Sequence, residues 1–423
     1  MNILVIGSGG REHALCWKIA QSPKVTQLFC SPGNGGIAQD ATCVELSDNR
    51  AIIAFCKEQN IALVVIGPEA PLVDGLADVL RGEGIHVFGP TAKAAQLEGS
   101  KAFMKNLCAK YQIPTAEYGH FTDSAAAKAY IDHLGAPVVV KADGLAAGKG
   151  VIIAATKEEA CDAVEEMFAG KFGSAGKSVI IEEFMEGEEL SFFAFCDGRQ
   201  AVPFGAAQDH KRAYDGDKGP NTGGMGTYCP PPAFTPALEA EIMERIIAPT
   251  LKAMETEGCP YHGILFAGLM LMKDGPKLLE YNIRFGDPET QSLLFCLKSD
   301  ILPALMACAE GSLEGISFDF HDDAALCVVM ATNGYPGNYE KGSEIRGLKA
   351  LMGQKNLQVF HAGTTEKNGR MLATGGRVLG VTARGTTLEA ARDTAYAAVD
   401  AIDWPQGFYR RDIGHRALKQ KVA

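Results

Sequence analysis

Two stretches of the sequence combine residue types suited to binding phosphate and a divalent cation. Glu280 and Asn282 flank Tyr281 on a predicted strand, so their side chains emerge on the same face. Two adjacent oxygen ligands suit Mg²⁺, which takes few protein oxygens when phosphates and water complete its shell. The glycine-rich loop 144–150 follows Lys141 and contains Gly148, Lys149 and Gly150. Because such a loop lets N–H groups and lysines approach phosphate, the two stretches together favour a nucleotide site over a solvated strand face.

Neither of the two familiar glycine-loop motifs is present. The P-loop pattern needs Gly at 143 and Ser or Thr at 150, but the chain has Asp143 and Gly150. The dinucleotide fingerprint after the first strand fails at Glu12, which disfavours an NAD-dependent oxidoreductase. What remains at residues 7–10 is a strand–glycine–helix turn that either holds an anion at the helix N-terminus or is a tight turn without a ligand.

Acidic and glycine-rich stretches in the middle of the chain suggest further parts of a site. Five glutamates crowd residues 182–189 around Phe184. They form either an acidic surface edge or a slot in which strand backbone meets adenine and a carboxylate meets ribose hydroxyls. Residues 209–212 and 221–226 are polar and rich in glycine, and predict a long active-site loop. His210 alone is weak support for acid–base chemistry.

The hydrophobic pattern predicts three domains that position these residues. In residues 1–100, apolar strands ending in glycines alternate with helical stretches, which predicts an open parallel α/β domain. Residues 101–324 mix hairpins and helices, including a helix at about 235–258 that Pro249 should kink or break. Residues 325–423 predict a small C-terminal α+β domain. Ser100 is the predicted cap of the helix that carries Lys105.

Composition excludes several classes of protein. The net charge of −11, without a basic tract, argues against nucleic-acid binding. The longest uncharged apolar run falls well short of the roughly 18 residues that span a bilayer, and the N-terminus does not resemble a signal peptide. Twelve cysteines without C-x-x-C spacing predict reduced thiols. These features predict a cytoplasmic protein with no membrane or nucleic-acid partner.

Taken in order, the motifs resemble the phosphoribosylamine–glycine ligase family of the ATP-grasp superfamily, over the whole chain. The most specific are RFGDPE and GPNTGGMG, and the others are GSGGREHALCW, GPEAPL, FGPTAKAAQLEGSKAFMK, VVVKADGLAAGKGV, EEFMEGEELSF, EYNIRFGDPETQ, ATNGYPGNY and FHAGT. The resemblance implies an ATP-grasp fold for residues 101–324, with a mobile lid at about 114–190. It also implies ligation of glycine to 5-phosphoribosylamine in purine biosynthesis, through glycyl phosphate, with ATP as co-substrate.

The resemblance also implies roles for individual residues. Glu280 and Asn282 would bind Mg²⁺ or Mn²⁺, although the adjacent strand, Phe266–Met270, lacks the further acidic ligand of many ATP-grasp enzymes. Arg284, Lys141 and Asp209 form the candidate catalytic set. The candidate ATP ligands are Lys105, Lys141, Gly148, Lys149, Gly150, Glu182, Glu183, Phe184 and Glu189. The candidate substrate ligands are Gly9, Gly10, Arg11, Glu69, Asp287, Gly376 and Arg377.

Two alternatives share parts of this pattern. A sister ATP-grasp ligase or carboxylase acting on another purine intermediate would keep the fold and the chemistry. A non-catalytic nucleotide-binding regulator would keep the glycine loop but lose the metal pair, so Glu280 and Asn282 argue against it. The resemblance implies that the partners are small molecules only (ATP, glycine and 5-phosphoribosylamine), and the expected assembly is a monomer or a weak dimer.

Overall fold

The computed structural model describes residues 1–144, 150–171 and 173–420. The candidate ATP ligands Gly148 and Lys149 lie outside these ranges. The described strands form sheets of nine, five, four, three and two strands. Among the described residues, no helix combines the length and apolar character needed to cross a membrane.

The N-terminal segment forms the predicted parallel sheet, with strand order β3-β2-β1-β4-β5. Ile3, Leu4 and Val5 are completely buried, as expected for a central strand covered on both faces. The elements are β1 Asn2–Gly7, α1 Gly10–Ala20, β2 Gln27–Pro32, a 3₁₀ turn Ile37–Gln39, β3 Thr42–Cys43, α2 Asn49–Glu58, β4 Ile61–Ile66, α3 Glu69–Val73, α4 Leu76–Gly82 and β5 Val87–Phe88.

A four-stranded antiparallel sheet, of order β6-β9-β7-β8, carries the strands on both sides of the glycine-rich loop. The predicted cap of the preceding helix is confirmed, since Ser100 Oγ accepts the Phe103 N–H at 3.1 Å. The elements are α5 Gln96–Gly99, α6 Lys101–Tyr111, β6 Tyr118–Phe121, α7 Ser124–Leu134, β7 Val138–Ala142, β8 Val151–Ala154, α8 Lys157–Glu166, a π-helical turn Met167–Lys171, a 3₁₀ turn Gly173–Lys177 and β9 Val179–Glu183.

The nine-stranded sheet is the centre of the molecule, and its main path runs β16-β15-β10-β11-β14-β17-β22-β19. The middle of the chain supplies five of its strands, β10, β11, β14, β15 and β16, whereas β12 and β13 form a separate pair. The elements of this part are β10 Glu188–Asp197, β11 Ala201–Asp209, β12 Arg212–Tyr214, β13 Lys218–Asn221, β14 Gly226–Cys229, α9 Pro236–Ile242, a π-helical turn Met243–Ile247, α10 Ala248–Thr256, β15 His262–Met272, β16 Gly275–Asn282, α11 Glu289–Cys296 and α12 Leu302–Glu310.

The main strands of the C-terminal segment continue this central sheet. Strand β17 pairs with β14 in the register Gly226–Val328 to Cys229–Ala325, and β22, β19 and β23 follow. The segment thus has the predicted mixed α and β elements, but most of its strands extend a sheet begun earlier in the chain. Its elements are β17 Ala324–Thr332, β18 Glu344–Ile345, a 3₁₀ turn Leu348–Leu351, β19 Leu357–His361, β20 Thr364–Lys367, β21 Arg370–Ala373, β22 Arg377–Gly385, α13 Leu388–Ala401, β23 Gly407–Phe408 and α14 His415–Gln420.

Two predicted segments have informative local structure. The helix at 235–258 is interrupted, as Pro249 predicts: α9 ends at Ile242, the π-helical turn Met243–Ile247 follows, and Pro249 lies in the first turn of α10. The predicted loop around residues 209–226 is partly regular, since β12 and β13 form a short antiparallel hairpin within it.

The N-terminal and central segments share one apolar core. The Phe88 ring at the end of β5 stacks on Phe285 with centroids 5.9 Å apart, and Phe285 also meets the edge of Phe195 on β10. Leu4, Val64 and Leu265 belong to one buried cluster that spans both sheets. Because this packing is continuous, the carboxyl ends of the parallel strands face the end of β16, where the candidate site lies.

Candidate active site

The chain segment that follows β16, residues 283–288 (the junction segment), is contacted by all three parts of the chain. The main-chain N–H of Arg11 in α1 donates to Asp287 Oδ2 at 3.3 Å. Arg377, at the start of β22, donates from Nη1 to the Asp287 carbonyl at 2.5 Å. Burial raises the pKa of Asp287, but Arg377 and Arg11 outweigh it and hold the pKa below its ordinary value. The junction segment therefore brings the candidates Arg11, Asp287 and Arg377 together.

The Arg284 side chain is held between two carboxylates. Its Nε donates to Glu69 Oε2 at 3.0 Å and its Nη2 donates to Glu98 Oε1 at 3.0 Å. Its Nη1 donates to the Phe285 carbonyl, which also accepts from Arg11 Nη1 at 3.0 Å. Burial lowers the pKa of Arg284, but Glu98 and Glu69 outweigh burial and raise it. Arg284 is thus a fixed cation with three of its five N–H groups committed to the protein.

Carboxylates already cap the glycine turn at the start of α1. The Gly9 N–H donates to Glu12 Oε2 at 2.6 Å, and the Arg11 N–H is bound by Asp287 as described. A Cβ atom on Gly7, Gly9 or Gly67 would collide with the Glu12 side chain, which explains glycine at those positions. The turn has the predicted strand–glycine–helix form, but two of its N–H groups hold protein carboxylates.

The C-terminal segment reaches the junction segment through Arg377, and Gly376 precedes it beside Tyr335. Arg377 Nη1 also donates to the Gly223 carbonyl at 2.7 Å, which ties the 221–226 loop to this corner. The Gly223 N–H in turn donates to Tyr335 Oη at 3.2 Å. A Cβ atom on Gly376 would overlap the Tyr335 ring, so glycine is required there.

A second group of candidates surrounds two buried lysines. Lys141 Nζ lies 2.8 Å and Lys105 Nζ 3.2 Å from the same oxygen, Oε2 of Glu182. Lys105 also donates to Thr115 Oγ1 at 2.8 Å and is completely buried. Burial lowers the pKa of Lys105, and Glu182 opposes that effect. These three side chains (the lysine pocket) carry one net positive charge, and Glu182 Oε1 has no hydrogen-bond partner among the described residues.

The remaining nucleotide candidates line the strands beside the lysine pocket. Glu183 Oε1 accepts the Glu117 N–H at 3.1 Å, while Phe184 is 40% exposed. Glu189 Oε2 receives a 2.6 Å bond from Lys211, and Lys211 lowers the pKa of Glu189 against the effect of burial. The carbonyl of Gly150 accepts the Ala142 N–H and closes the strands around the glycine loop.

Glu280 and Asn282 lie between the lysine pocket and the junction segment. Both are half-buried, and neither side chain has a hydrogen bond or ion pair to another described residue. Across the sheet Glu280 pairs with Gly268, which leaves the space beside its carboxylate open. The described residues contain no cluster of three or more His, Cys, Asp or Glu that could hold a metal alone. A carboxylate and an amide oxygen, both free and adjacent, fit a cation that phosphates and water complete.

The site also contains residues that sequence reasoning did not single out. Glu289, the first residue of α11, is buried and accepts from Ser191 Oγ at 3.2 Å. Burial raises the pKa of Glu289 to about 7, and the candidate Asp209 adds to the rise. Lys101 Nζ donates to the Gly144 carbonyl at 2.9 Å, and Glu280 partly offsets the lowering of its pKa by burial. Glu289 and Lys101 both occur inside the quoted motifs, but residue type alone gave them no role.

The described candidates therefore fall into two groups joined by one strand. The lysine pocket and its neighbours form the first group, and the residues around the junction segment form the second. Strand β16 links them, because Glu280, Asn282 and Arg284 follow one another at alternate positions. Asp209, at the end of β11, is buried near Glu189 and Lys211, and burial raises its pKa. The arrangement can hold a polyanion at one end and a small zwitterion at the other.

Comparison with known proteins gives consistent matches along the chain. Three family models match in order: the phosphoribosylglycinamide synthetase N domain at residues 1–98, its ATP-grasp (A) domain at 99–290 and its C domain at 325–416. The phosphoribosylamine–glycine ligase of Mesorhizobium japonicum is 58% identical, with all of both chains covered. The chloroplastic phosphoribosylamine–glycine ligase of Arabidopsis thaliana is 57% identical, over 97% of this chain and 79% of that one.

Solved structures agree with these matches. The crystal structure of phosphoribosylamine–glycine ligase from Thermotoga maritima has a TM-score of 0.88 and 35% identity, covering 98% of this chain and 100% of that one. A biotin carboxylase–β-γ-ATP complex from Campylobacter jejuni has a TM-score of 0.73 at 14% identity, covering 96% of this chain and 92% of that one. The second likeness shows a shared fold only.

Proposed function

From the premise that this chain belongs to the phosphoribosylglycinamide synthetase family, we propose how its residues divide the work of the reaction. The chain is a carbon–nitrogen ligase: it joins glycine to 5-phosphoribosylamine, giving glycinamide ribonucleotide, ADP and phosphate, in purine biosynthesis. ATP supplies the free energy for the ligation, and enzymes with this ATP-grasp domain use ATP together with a divalent cation. The identity of the cation as Mg²⁺ or Mn²⁺, the site residues and the intermediate are the proposal.

The observation that carries the proposal is the sequence of groups along β16. Glu280 and Asn282 lie beside the lysine pocket, and Arg284 lies two residues further on in the junction segment. A strand with this order spans the distance from the nucleotide phosphates to the acid group that they activate. The geometry therefore supports one continuous site in which triphosphate and glycine meet near Asn282.

On the nucleotide side, Lys105 and Lys141 neutralise the phosphates, with Glu182 setting their positions. Glu182, Glu183 and Phe184 border the adenine, Glu189 receives the ribose hydroxyls, and the loop that includes Gly148, Lys149 and Gly150 covers the phosphates. Glu280 and Asn282 would hold the cation, which would neutralise part of the negative charge of the phosphates. Catalysis of phosphoryl transfer depends on such positioning and charge neutralisation.

On the acceptor side, Arg284 binds the glycine carboxylate with the two N–H groups that the protein does not use. A carboxylate oxygen attacks the γ-phosphorus and ADP leaves, giving glycyl phosphate. The amine of phosphoribosylamine then attacks the carbonyl carbon, phosphate leaves with that oxygen, and the nitrogen loses a proton. We infer that Asp209 or Glu289 takes this proton, because both are buried carboxylates whose pKa is raised. The sugar is held by Gly9, Gly10, Arg11, Glu69, Asp287, Gly376 and Arg377.

The experiment that tests the reaction is ADP release with ATP, glycine and freshly generated phosphoribosylamine, each omitted in turn. We expect full turnover only with all three. To test the intermediate, glycine labelled with ¹⁸O in its carboxylate is used, and one labelled oxygen should appear in the released phosphate. Unlabelled glycine in ¹⁸O water is the control. Phosphate free of carboxylate oxygen would exclude glycyl phosphate but leave the ligation itself standing.

The setting of the enzyme completes the proposal. We infer a cytoplasmic enzyme that acts as a monomer or weak dimer on small molecules, without nucleic-acid or membrane partners. The net charge of −11 and the reduced state of the twelve cysteines support this setting. Sedimentation at micromolar concentration tests the assembly state directly.

A further inference from the structure

Glu98 uses both of its carboxylate oxygens on two consecutive residues of the junction segment. It lies in the four-residue helix α5, which connects the N-terminal sheet to the helix that carries Lys105. Its Oε2 accepts the Ile283 N–H at 2.9 Å and its Oε1 accepts Arg284 Nη2 at 3.0 Å. Its side chain is only 10% exposed. The carboxylate therefore fixes both the main chain and the guanidinium at the end of β16.

The second carboxylate beside Arg284 is held less firmly. Glu69 contacts Arg284 through one oxygen at 3.0 Å, and its side chain is 32% exposed. Burial raises the pKa of Glu98 above its ordinary value in spite of Arg284, whereas the pKa of Glu69 is lowered overall, because Arg284 and Arg11 outweigh burial. Glu98 is thus the more buried of the two partners and the one that also holds the main chain.

We propose that Glu98 is a positioning residue for the ligation, which holds Arg284 and the end of the metal-binding strand in the geometry that activates glycine. The inference rests on the proposed role of Arg284 and goes beyond it. Because an error of about 1 Å at a reacting group can cost on the order of 100-fold in rate, a bidentate anchor next to Arg284 has a direct kinetic consequence.

The physical requirement is for two acceptors at one place. In Glu98→Gln the amide keeps one oxygen, and its NH₂ group faces either the Ile283 N–H or the Arg284 guanidinium, where two donors oppose each other. Asp at this position keeps the charge but withdraws it by one methylene. We expect Glu98→Gln to lower kcat about 10- to 100-fold, with the KM for ATP changed less than about 2-fold.

A double-mutant cycle distinguishes positioning through Arg284 from general loss of structure. The cycle combines Glu98→Gln with Arg284→Lys, which keeps a cation and enough turnover to measure. If Glu98 acts through Arg284, the second substitution adds less than about 2-fold to the effect of the first. Additive losses, or wild-type turnover in Glu98→Gln, overturn the inference. Wild-type turnover in Arg284→Lys and in Arg284→Ala would instead overturn the proposed role of Arg284.

Asp197→Asn is the matched control. Asp197 is a buried carboxylate that also accepts main-chain N–H groups, from Gln200 at 2.7 Å and Leu313 at 2.9 Å, in a turn away from the site. We expect it to lower Tm without changing kcat. If Glu98→Gln fails to fold, Glu98→Asp takes its place in the cycle. A kcat loss in Asp197→Asn as large as that in the Glu98 variant would assign the effect to stability and reject the inference.

Discussion

The lysine pocket and the surroundings of Arg284 differ in the balance of positive and negative side chains. In the lysine pocket one carboxylate, Glu182, is shared by two lysines, so positive charge is in excess. Around Arg284 one guanidinium is shared by two carboxylates, so negative charge is in excess. An excess of positive charge attracts triphosphate, whereas a fixed cation among carboxylates suits the acid and ammonium groups of one amino acid. Charge ratio therefore separates the two ends of the site.

The two regions also differ in where their residues come from. The lysine pocket is built from α6, β7 and β9, which lie within about 80 residues of one another in the chain. The junction segment is held by Arg11 and Glu69 from the N-terminal segment and by Arg377 from the C-terminal segment. The first region depends on local strand register, and the second depends on the packing of the whole molecule. The following predictions test that difference.

The largest effect is expected in the first region. Lys141→Ala and Glu280→Ala should each lower turnover by about 10²–10³-fold, because Lys141 neutralises the transferring phosphoryl group and Glu280 would hold the cation that does so. ADP release measures the loss, and the circular-dichroism spectrum should be unchanged. Lys157→Ala is the control, since that exposed lysine pairs with Asp132 on the surface. Wild-type turnover in either folded site variant would falsify the assignment.

A smaller and more selective effect is expected in the second region. Arg377→Ala should raise the KM for phosphoribosylamine about 10-fold, equivalent to roughly 1.4 kcal/mol, because it frees the Asp287 carbonyl and the 221–226 loop. The KM for ATP should stay within about 2-fold, since Arg377 does not contact the lysine pocket. Initial rates at varied concentrations of each substrate separate the two constants. Arg392→Ala, a surface arginine paired with its neighbour Asp393, should change neither.

The smallest effect concerns the pH dependence of stability. The pKa of Glu289 in the folded protein is about 7, above its ordinary value, so folding favours its protonated form. The contribution of this preference to the free energy of unfolding is complete below the ordinary pKa of a glutamate and is lost as the pH rises through 7. Glu289→Gln removes this loss, and at pH 8 it should be more stable than wild type by at least about 1 kcal/mol, or roughly 2 °C in Tm.

Thermal unfolding at pH 6 and pH 8 measures this effect. The difference in Tm between Glu289→Gln and wild type should be larger at pH 8 than at pH 6. Glu83→Gln is the control, because that exposed glutamate pairs with Lys57 on the surface. Parallel curves for wild type and Glu289→Gln would show that Glu289 does not take up a proton on folding.

The fold was predictable where a local pattern determines it. Apolar runs that end in glycine predicted the parallel sheet, and its buried strands confirm it. The pairing of β14 with β17 was not predictable, because the sequence of a strand does not indicate which strand about 100 residues away pairs with it. At the glycine turn, Glu12 stands three residues after Gly9, where a glutamate can accept the N–H of the residue before the helix, a signal that a carboxylate would occupy the helix end.

The candidate site shows the same limit. Residue type and spacing placed Glu280 and Asn282 side by side, because alternate residues of one strand share a face. They did not reveal that Glu182 lies between the two lysines, or that Glu98 holds Arg284, since both contacts join distant parts of the chain. Residues that act through another residue carry no chemical signature of their own and become visible only in three dimensions.

The strand pairing between β14 and β17 has a consequence for how the polypeptide can be divided. A fragment that stopped before residue 324 would leave the outer edge of Gly226–Cys229 bare, with its main-chain donors and acceptors turned to water. It would also lose the guanidinium that clamps the far side of Asp287. An open edge invites other chains to stack on it. The last hundred residues are therefore needed to complete the central sheet, and we expect truncated forms that lack them to be prone to aggregation.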